Sequence, residues 1–381
     1  MSLSKQDVLK QLDVWLTMLI DVEGVDLHIK SNSPMRARVK SDIALLSREI
    51  IKAETIEALV KALTGNAYEK FKETKEFDGA YGLKDKYRFR VNIYMHLGGF
   101  AIVFRLIPPT IKTIEELNLP TALHKLTHLQ RGLVLVTGTT GGGKSTTLAS
   151  IIKEINKTYQ KHIITIEDPI EYMHHDIKSI IEQRQVGLHT NSFSGALRAA
   201  MREDPDIIVV GEIRDIATAE SILQAVNTGH LVFSTLHTID ARETIDRLVG
   251  IFPTNEQNRV RTTLAATLEA VVSQRLIKGT SDNMIPAVEL MFKSPLIKEL
   301  IRAKRDNEIP DAIKKEGISF DSITFNQALF DLTLRGEVTE EQAYQYATSP
   351  SDLKVMFTVS QEYEKKVKRN KKEDALWLKD V

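Results

Sequence analysis

Four short apolar runs constrain this chain most. "LVLVT" (Leu133–Thr137), "HIITI", "DIIVV" and "HLVFST" carry few or no polar interruptions, and helical spacing follows each of them. A strand that is apolar at every position must be covered on both faces. Such runs alternating with helices build a parallel, doubly wound sheet. Residues 131–350 are therefore expected to form an α/β domain, with a mostly helical pattern beyond Val271.

The residues before it have another texture. Across 1–107, "VDLHIK", "MRARVK", "YRFRVNIYM" and "FAIVFRLI" alternate or run β-rich, the last two around a Gly98-Gly99 turn, and "TIEALVKALTGNAYEKFKE" has helical spacing. This predicts a separate α+β domain with a largely antiparallel sheet. Prolines at both ends of "PPTIKTIEELNLP" mark residues 108–130 as a linker. Residues 351–381 include "EKKVKRNKKED" and read as a charged, solvated tail. At 381 residues there is length for two cores.

Lys+Arg and Asp+Glu are both 51, so net charge offers no argument for nucleic acid or an anionic membrane. The absence of cysteine removes disulfides, thiolate zinc sites and thiol nucleophiles, and fits a reducing compartment. The N-terminal stretch places acids inside its apolar region, so it reads as an amphipathic helix and not as a signal peptide. No apolar run approaches the ~18 residues a spanning helix needs. A cytoplasmic chain is expected.

The first strand runs straight into "GTTGGGKST". Gly138, Thr139, Thr140, Gly141, Gly142, Gly143, Lys144, Ser145 and Thr146 fit G-x-x-x-x-G-K-[ST] with one residue to spare. Glycine lets several N–H groups curl inward around one anion, and the helix that follows aims its positive end at the same place. In this pattern Lys144 serves the β- and γ-phosphates and the Ser145 hydroxyl serves Mg²⁺. The other strand ends also carry polar residues. Glu167 and Asp168 precede Pro169, and Glu212 follows "DIIVVG". His230 and His237 flank "LVFSTL". Gly211 stands where many phosphate-loop enzymes have an aspartate, so Glu212 reads as a base that positions water. Glu167 could reach the metal through water. In the first domain, Arg90 and Arg105 are separated by one hairpin. Taken singly, each has a structural reading as a cap, an exposed histidine or a strand arginine. Their concentration at strand ends after a phosphate loop favours chemistry.

Together "GTTGGGKSTT", "ITIEDPIEY", "REDPDIIVVGEIRD" and "TGHLVFSTLHT", with "DLHIK", "RFRVN" and "FRLIP" before them, resemble the secretion ATPase superfamily. The resemblance is specifically to the twitching-motility, type IV pilus retraction ATPases of the PilT/PilU type. It implies a PAS-like N-terminal domain and a RecA-like ATPase domain with a helical C-terminal part. It further implies a homo-oligomeric ring, normally a hexamer, that uses ATP and Mg²⁺ at the cytoplasmic face of the inner membrane. An inner-membrane pilus platform protein would be its partner, and nucleic acid would not. By the same resemblance Gly138–Thr146 is the Walker A loop, Glu167 and Asp168 lie in the Asp box, and Glu212 is the Walker B glutamate. His230 and His237 form the His box, and Arg90 and Arg105 approach the γ-phosphate. Where the PilT branch reads A-I-R-N-L-I-R, this chain has "LIKELIR" (Leu296–Arg302), and its C-terminal sequence looks closer to PilU. That points to an accessory motor acting with a PilT-type paralogue. An extension ATPase is the nearest rival, but those usually carry a tetracysteine zinc site.

Overall fold

In the computed structural model, which describes residues 4–40, 42–84, 86–281 and 283–360, the chain divides into two units. One comprises Met1–Ile111 with Pro169–Met173, the other Lys112–Asp168 with His174–Val381.

In the first unit, β1 (Gly24–Lys30), β2 (Ser33–Val39), β3 (Asp42–Ile51), β4 (Glu76–Leu83), β5 (Tyr87–His96) and β6 (Gly99–Ile107) form one sheet. Their order is β3-β2-β1-β6-β5-β4, with every neighbouring pair antiparallel. Alternation along the strands turns Leu27, Ile29, Phe89, Val91 and Ile93 toward one core. Leu12, Trp15, Leu16 and Leu19 of helix Lys5–Asp21 and Ile56, Leu59 and Val60 of helix Ala53–Thr64 complete it. The first helix starts where Ser4 Oγ accepts the Asp7 N–H, a cap that satisfies one otherwise free amide.

The second unit is built on a sheet ordered β13-β12-β7-β11-β10-β8-β9. Its strands are β7 (Gly132–Thr137), β8 (His162–Glu167), β9 (Ile180–Gln185), β10 (Ile207–Val210), β11 (Leu231–Leu236), β12 (Leu268–Lys278) and β13 (Met284–Phe292). All neighbours are parallel except the β12–β13 pair. Every residue of β7, β10 and β11 is buried, as their unbroken apolarity requires. Leu133, Leu135, Ile164 and Val210 face one core and Val134, Val136, Ile163 and Val209 the other. Among the described residues, no helix is long and apolar enough to cross a membrane.

Three expectations change. Helical texture was expected beyond Val271, but β12 and β13 extend the sheet there, and helices take over only from Pro295. The unpaired edge of β7 decides this, because β12 satisfies its ladder and Thr137 Oγ1 donates to Ser273 Oγ at 2.9 Å. Residues read as linker are not bare chain. Ile114, Leu119, Leu123 and Leu126 are buried in the second unit's core. The stretch read as tail begins inside a packed helical block, where Leu353 and Phe357 join Phe325, Leu329 and Leu332 against Ile277 and Ile285. The basic run itself lies outside the described residues.

Glu289 ties this block to the sheet. Its buried carboxylate accepts the N–H of Ala241 at 2.9 Å and that of Phe325, so it joins the first residues of two helices. Burial pushes its pKa up to about 7, against the opposing pull of the Ala241 amide. A carboxyl raised on folding contributes stability that is complete below its unfolded pKa and is lost as pH rises through the folded one. The melting-temperature advantage of wild type over Glu289→Gln should therefore shrink between about pH 5 and pH 7 and stay level above. An advantage that grows over that interval would contradict the raised pKa.

Candidate nucleotide site

The loop between β7 and the helix Lys144–Thr158 depends on glycine at two places where the backbone leaves the region open to other residues. Gly138 has φ 145°, and a Cβ there would lie 2.4 Å from the Gln274 carbonyl oxygen. Gly143, with φ 85°, caps the helix, and its Cβ would meet the Gln274 amide nitrogen at 2.6 Å. At Gly138 the added atom would meet backbone, whereas at Gly143 it would meet a movable side chain and the positive φ is what favours glycine.

Lys144 is buried, and its ammonium donates to the carbonyl oxygens of Gly138 (2.9 Å) and Thr139 (3.0 Å). It also lies 3.4 Å from His237 Nδ1, and Thr140 Oγ1 lies 3.5 Å from the same nitrogen. His237 Nε2 is 3.6 Å from Glu212. A continuous polar path therefore runs from the loop lysine through one imidazole to the acid after β10. Beyond it, Arg214 pairs closely with Glu212 and lies 3.4 Å from Asp168. The hydrogen bond to Glu212 holds the Arg214 guanidinium above its ordinary pKa.

Glu167 ends β8 and accepts from Thr165 Oγ1 (2.6 Å) and Gln183 Nε2 (3.1 Å). A Cβ on Gly211 would sit 3.3 Å from the Ile166 carbonyl oxygen and 3.5 Å from the Phe193 ring. An aspartate there would be crowded, and Glu212 is the acid this backbone can present. Ser145 is the second residue of the helix beneath the loop.

His230 does not join the others. In a parallel sheet the two ends of a strand lie on opposite edges, and β11 separates His230 from His237 by roughly 20 Å of strand. His230 instead contacts Thr228 Oγ1 and the Ala225 carbonyl, and its own carbonyl accepts from Gly132, where β7 begins. Flanking a strand is not the same as facing a site. Arg214 and Gln183 were missed by sequence reading. For Arg214 a signal existed in its place two residues after Glu212. For Gln183 there was none.

In the first unit, Arg90 and Arg105 are directly opposed across β5 and β6. Arg105 makes a two-pronged bond to the buried Asp26 carboxylate, at 2.7 and 3.1 Å, and Arg38 lies 3.7 Å from the same acid. Arg90 is 3.8 Å from Asp78. Asp26 precedes Leu27 and His28 in the "DLHIK" stretch, which sequence reading quoted without assigning it a role.

The geometry is that of a glycine-rich loop whose lysine meets a histidine, with an acid on the far side of that histidine. The profile of the type II/IV secretion system protein family matches residues 4–304. The chain belongs to that family. Within it, the type IV pilus retraction ATPase PilT of Pseudomonas aeruginosa is 40% identical over 329 residues, covering 86% of this chain and 95% of that protein. The type IV pilus ATPase PilU of the same organism is 35% identical over 352 residues, 91% of each chain. A crystal structure of the pilus retraction motor PilT with bound ADP aligns with a TM-score of 0.83 at 39% identity, over 90% of this chain and 98% of that one.

Gly138→Ala tests the family's loop geometry in this chain. The added methyl meets backbone and not a movable side chain, so the loop must leave its path. Affinity for a fluorescent ADP analogue should fall roughly 10- to 100-fold, with the melting temperature of the core little changed.

Proposed function

We propose that this chain hydrolyses ATP and that a ring of its copies, six as the family resemblance implies, drives type IV pilus retraction and twitching motility. The observation that carries this reading is the Lys144–His237–Glu212 path, which brings a phosphate-binding cation and a water-positioning base to one strand edge. The similarity to PilT and PilU supports the pilus as the place of work. The two units would be the PAS-like and RecA-like domains of the family, and the chain would act at the cytoplasmic face of the inner membrane against a pilus platform protein.

Lys144 stabilises charge on the transferred phosphoryl group, and Glu212 orients the attacking water and takes its proton. His237 lies against both and keeps acid and lysine at a fixed separation. Mg²⁺ would neutralise charge on the phosphates, and Ser145 would hold it, with Glu167 reaching it through water. The donors already on Glu167 fit that outer place. Arg90 and Arg105 would serve a neighbouring copy's phosphates as arginine fingers, which are worth about 10³–10⁵ in rate.

The accessory role beside a PilT-type paralogue rests on "LIKELIR" and the C-terminal sequence. Identity is higher to PilT than to PilU, 40% against 35%, and does not favour it. Twitching in strains lacking this protein, its paralogue or both separates the two roles.

Glu212→Gln should retain ATP binding and lose turnover by roughly 10²–10⁴-fold, measured by steady-state phosphate release. Equal losses in both would make Glu212 a metal or structural residue. A variant with Arg90 and Arg105 both replaced by alanine should likewise bind ATP and turn it over poorly. Mixing it with Glu212→Gln protein should restore partial activity, with labelled subunits confirming exchange. Exchange without recovery would mean either that the arginines act within their own chain or that every site of a ring must fire for any to turn over.

A further inference from the structure

The glycines of the phosphate loop are usually explained by the phosphate. Here three of them, Gly138, Gly142 and Gly143, lie against one protein residue, Gln274. It follows Ser273, which pairs with Thr137 at the end of β7, so Gln274 stands where that strand becomes the loop. Its carbonyl oxygen occupies the space a Gly138 Cβ would need, and it lies 3.4 Å from where a Gly142 Cβ would be. Its side-chain nitrogen lies in the path of a Gly143 Cβ. Its side-chain oxygen accepts from Thr147 Oγ1 at 2.6 Å, with both residues buried. The entry of the loop and the first turn of its helix thus rest on one residue. Arg275, pointing to the other face of β12, anchors the strand from behind: it donates to the Tyr346 carbonyl at 2.6 Å and stacks on Phe325 at 3.8 Å.

We propose that Gln274 is a positioning residue of the nucleotide site, setting the separation between Gly138 and the helix start and hence the convergence of the phosphate-binding amides. This deepens the nucleotide reading and rests on it. Gln274 touches the loop and not the phosphate. Its loss should therefore act on nucleotide affinity through a buried bond that Thr147 shares.

The test is a cycle of Gln274→Met, which keeps volume and removes the amide, Thr147→Val, which removes the hydroxyl, and the double variant. Thr147→Ser serves as the conservative control. Titration with a fluorescent ADP analogue should show dissociation constants raised roughly 5- to 30-fold in each single variant, the loss expected for one buried hydrogen bond. The double variant should bind no worse than the weaker single, because both remove the same bond. Thr147→Ser should bind like wild type. Unchanged affinity with a lowered melting temperature would reduce Gln274 to a packing residue, and additive losses would deny the shared bond; either overturns the proposal. If Gln274→Met does not fold, Thr147→Val against Thr147→Ser decides by the same readout. Wild-type protein that binds no nucleotide would overturn the nucleotide reading along with this one. Wild-type binding with unaffected variants would overturn this inference alone.

Discussion

The second unit depends on β7 being enclosed on all sides. Its six residues are buried, β11 and β12 take its two edges, and cores cover both its faces. No water reaches its backbone, so every amide must be met by a neighbouring strand. That enclosure holds Thr137 still, and the loop begins at the next residue. The order of the sheet follows from the same demand. β11 brings His237 beside the loop and β10 carries Glu212 one strand further along, while β12 supplies Ser273 and Gln274 from the opposite side.

Legibility followed the range of the interaction. The parallel strands were readable because burial on both faces leaves a mark at every position, as in "LVLVT". The hairpin of β5 and β6 was readable because β5 alternates and β6 runs β-rich on the other side of a glycine turn. β12 and β13 were not, since "LEAVVSQRLIK" owes its extended form to the free edge of β7 far back in the sequence. The buried Ile114, Leu119, Leu123 and Leu126 hid behind prolines, which end regular structure but do not keep a side chain out of a core. In the site, Lys144 and the glycines were legible from their own motif. His230 was misplaced because a strand's two ends look alike in sequence and lie on opposite edges in space. Gln183 and Gln274 carry no local signal, as their partners are 16 and 127 residues away.

The acids of the site are held by different means. Glu167 accepts from Thr165 and Gln183, and Glu212 meets the charged Arg214 and His237. An ion pair in a half-exposed place is weakened by salt, whereas bonds to hydroxyl and amide groups are not. Salt should thus loosen the Glu212–Arg214 pair.

Lys144 has two oxygen partners that belong to the loop itself, the carbonyls of Gly138 and Thr139. Any phosphate that takes the ammonium must displace bonds that are already good. Nucleotide affinity in such a loop is a difference between two satisfied arrangements and not the full strength of a cation meeting an anion. The same carbonyls are waiting when the phosphate leaves, so departure leaves the ammonium hydrogen-bonded. A loop with its own internal substitute for phosphate binds less tightly than its charge suggests and lets go more readily, which suits repeated cycles better than storage.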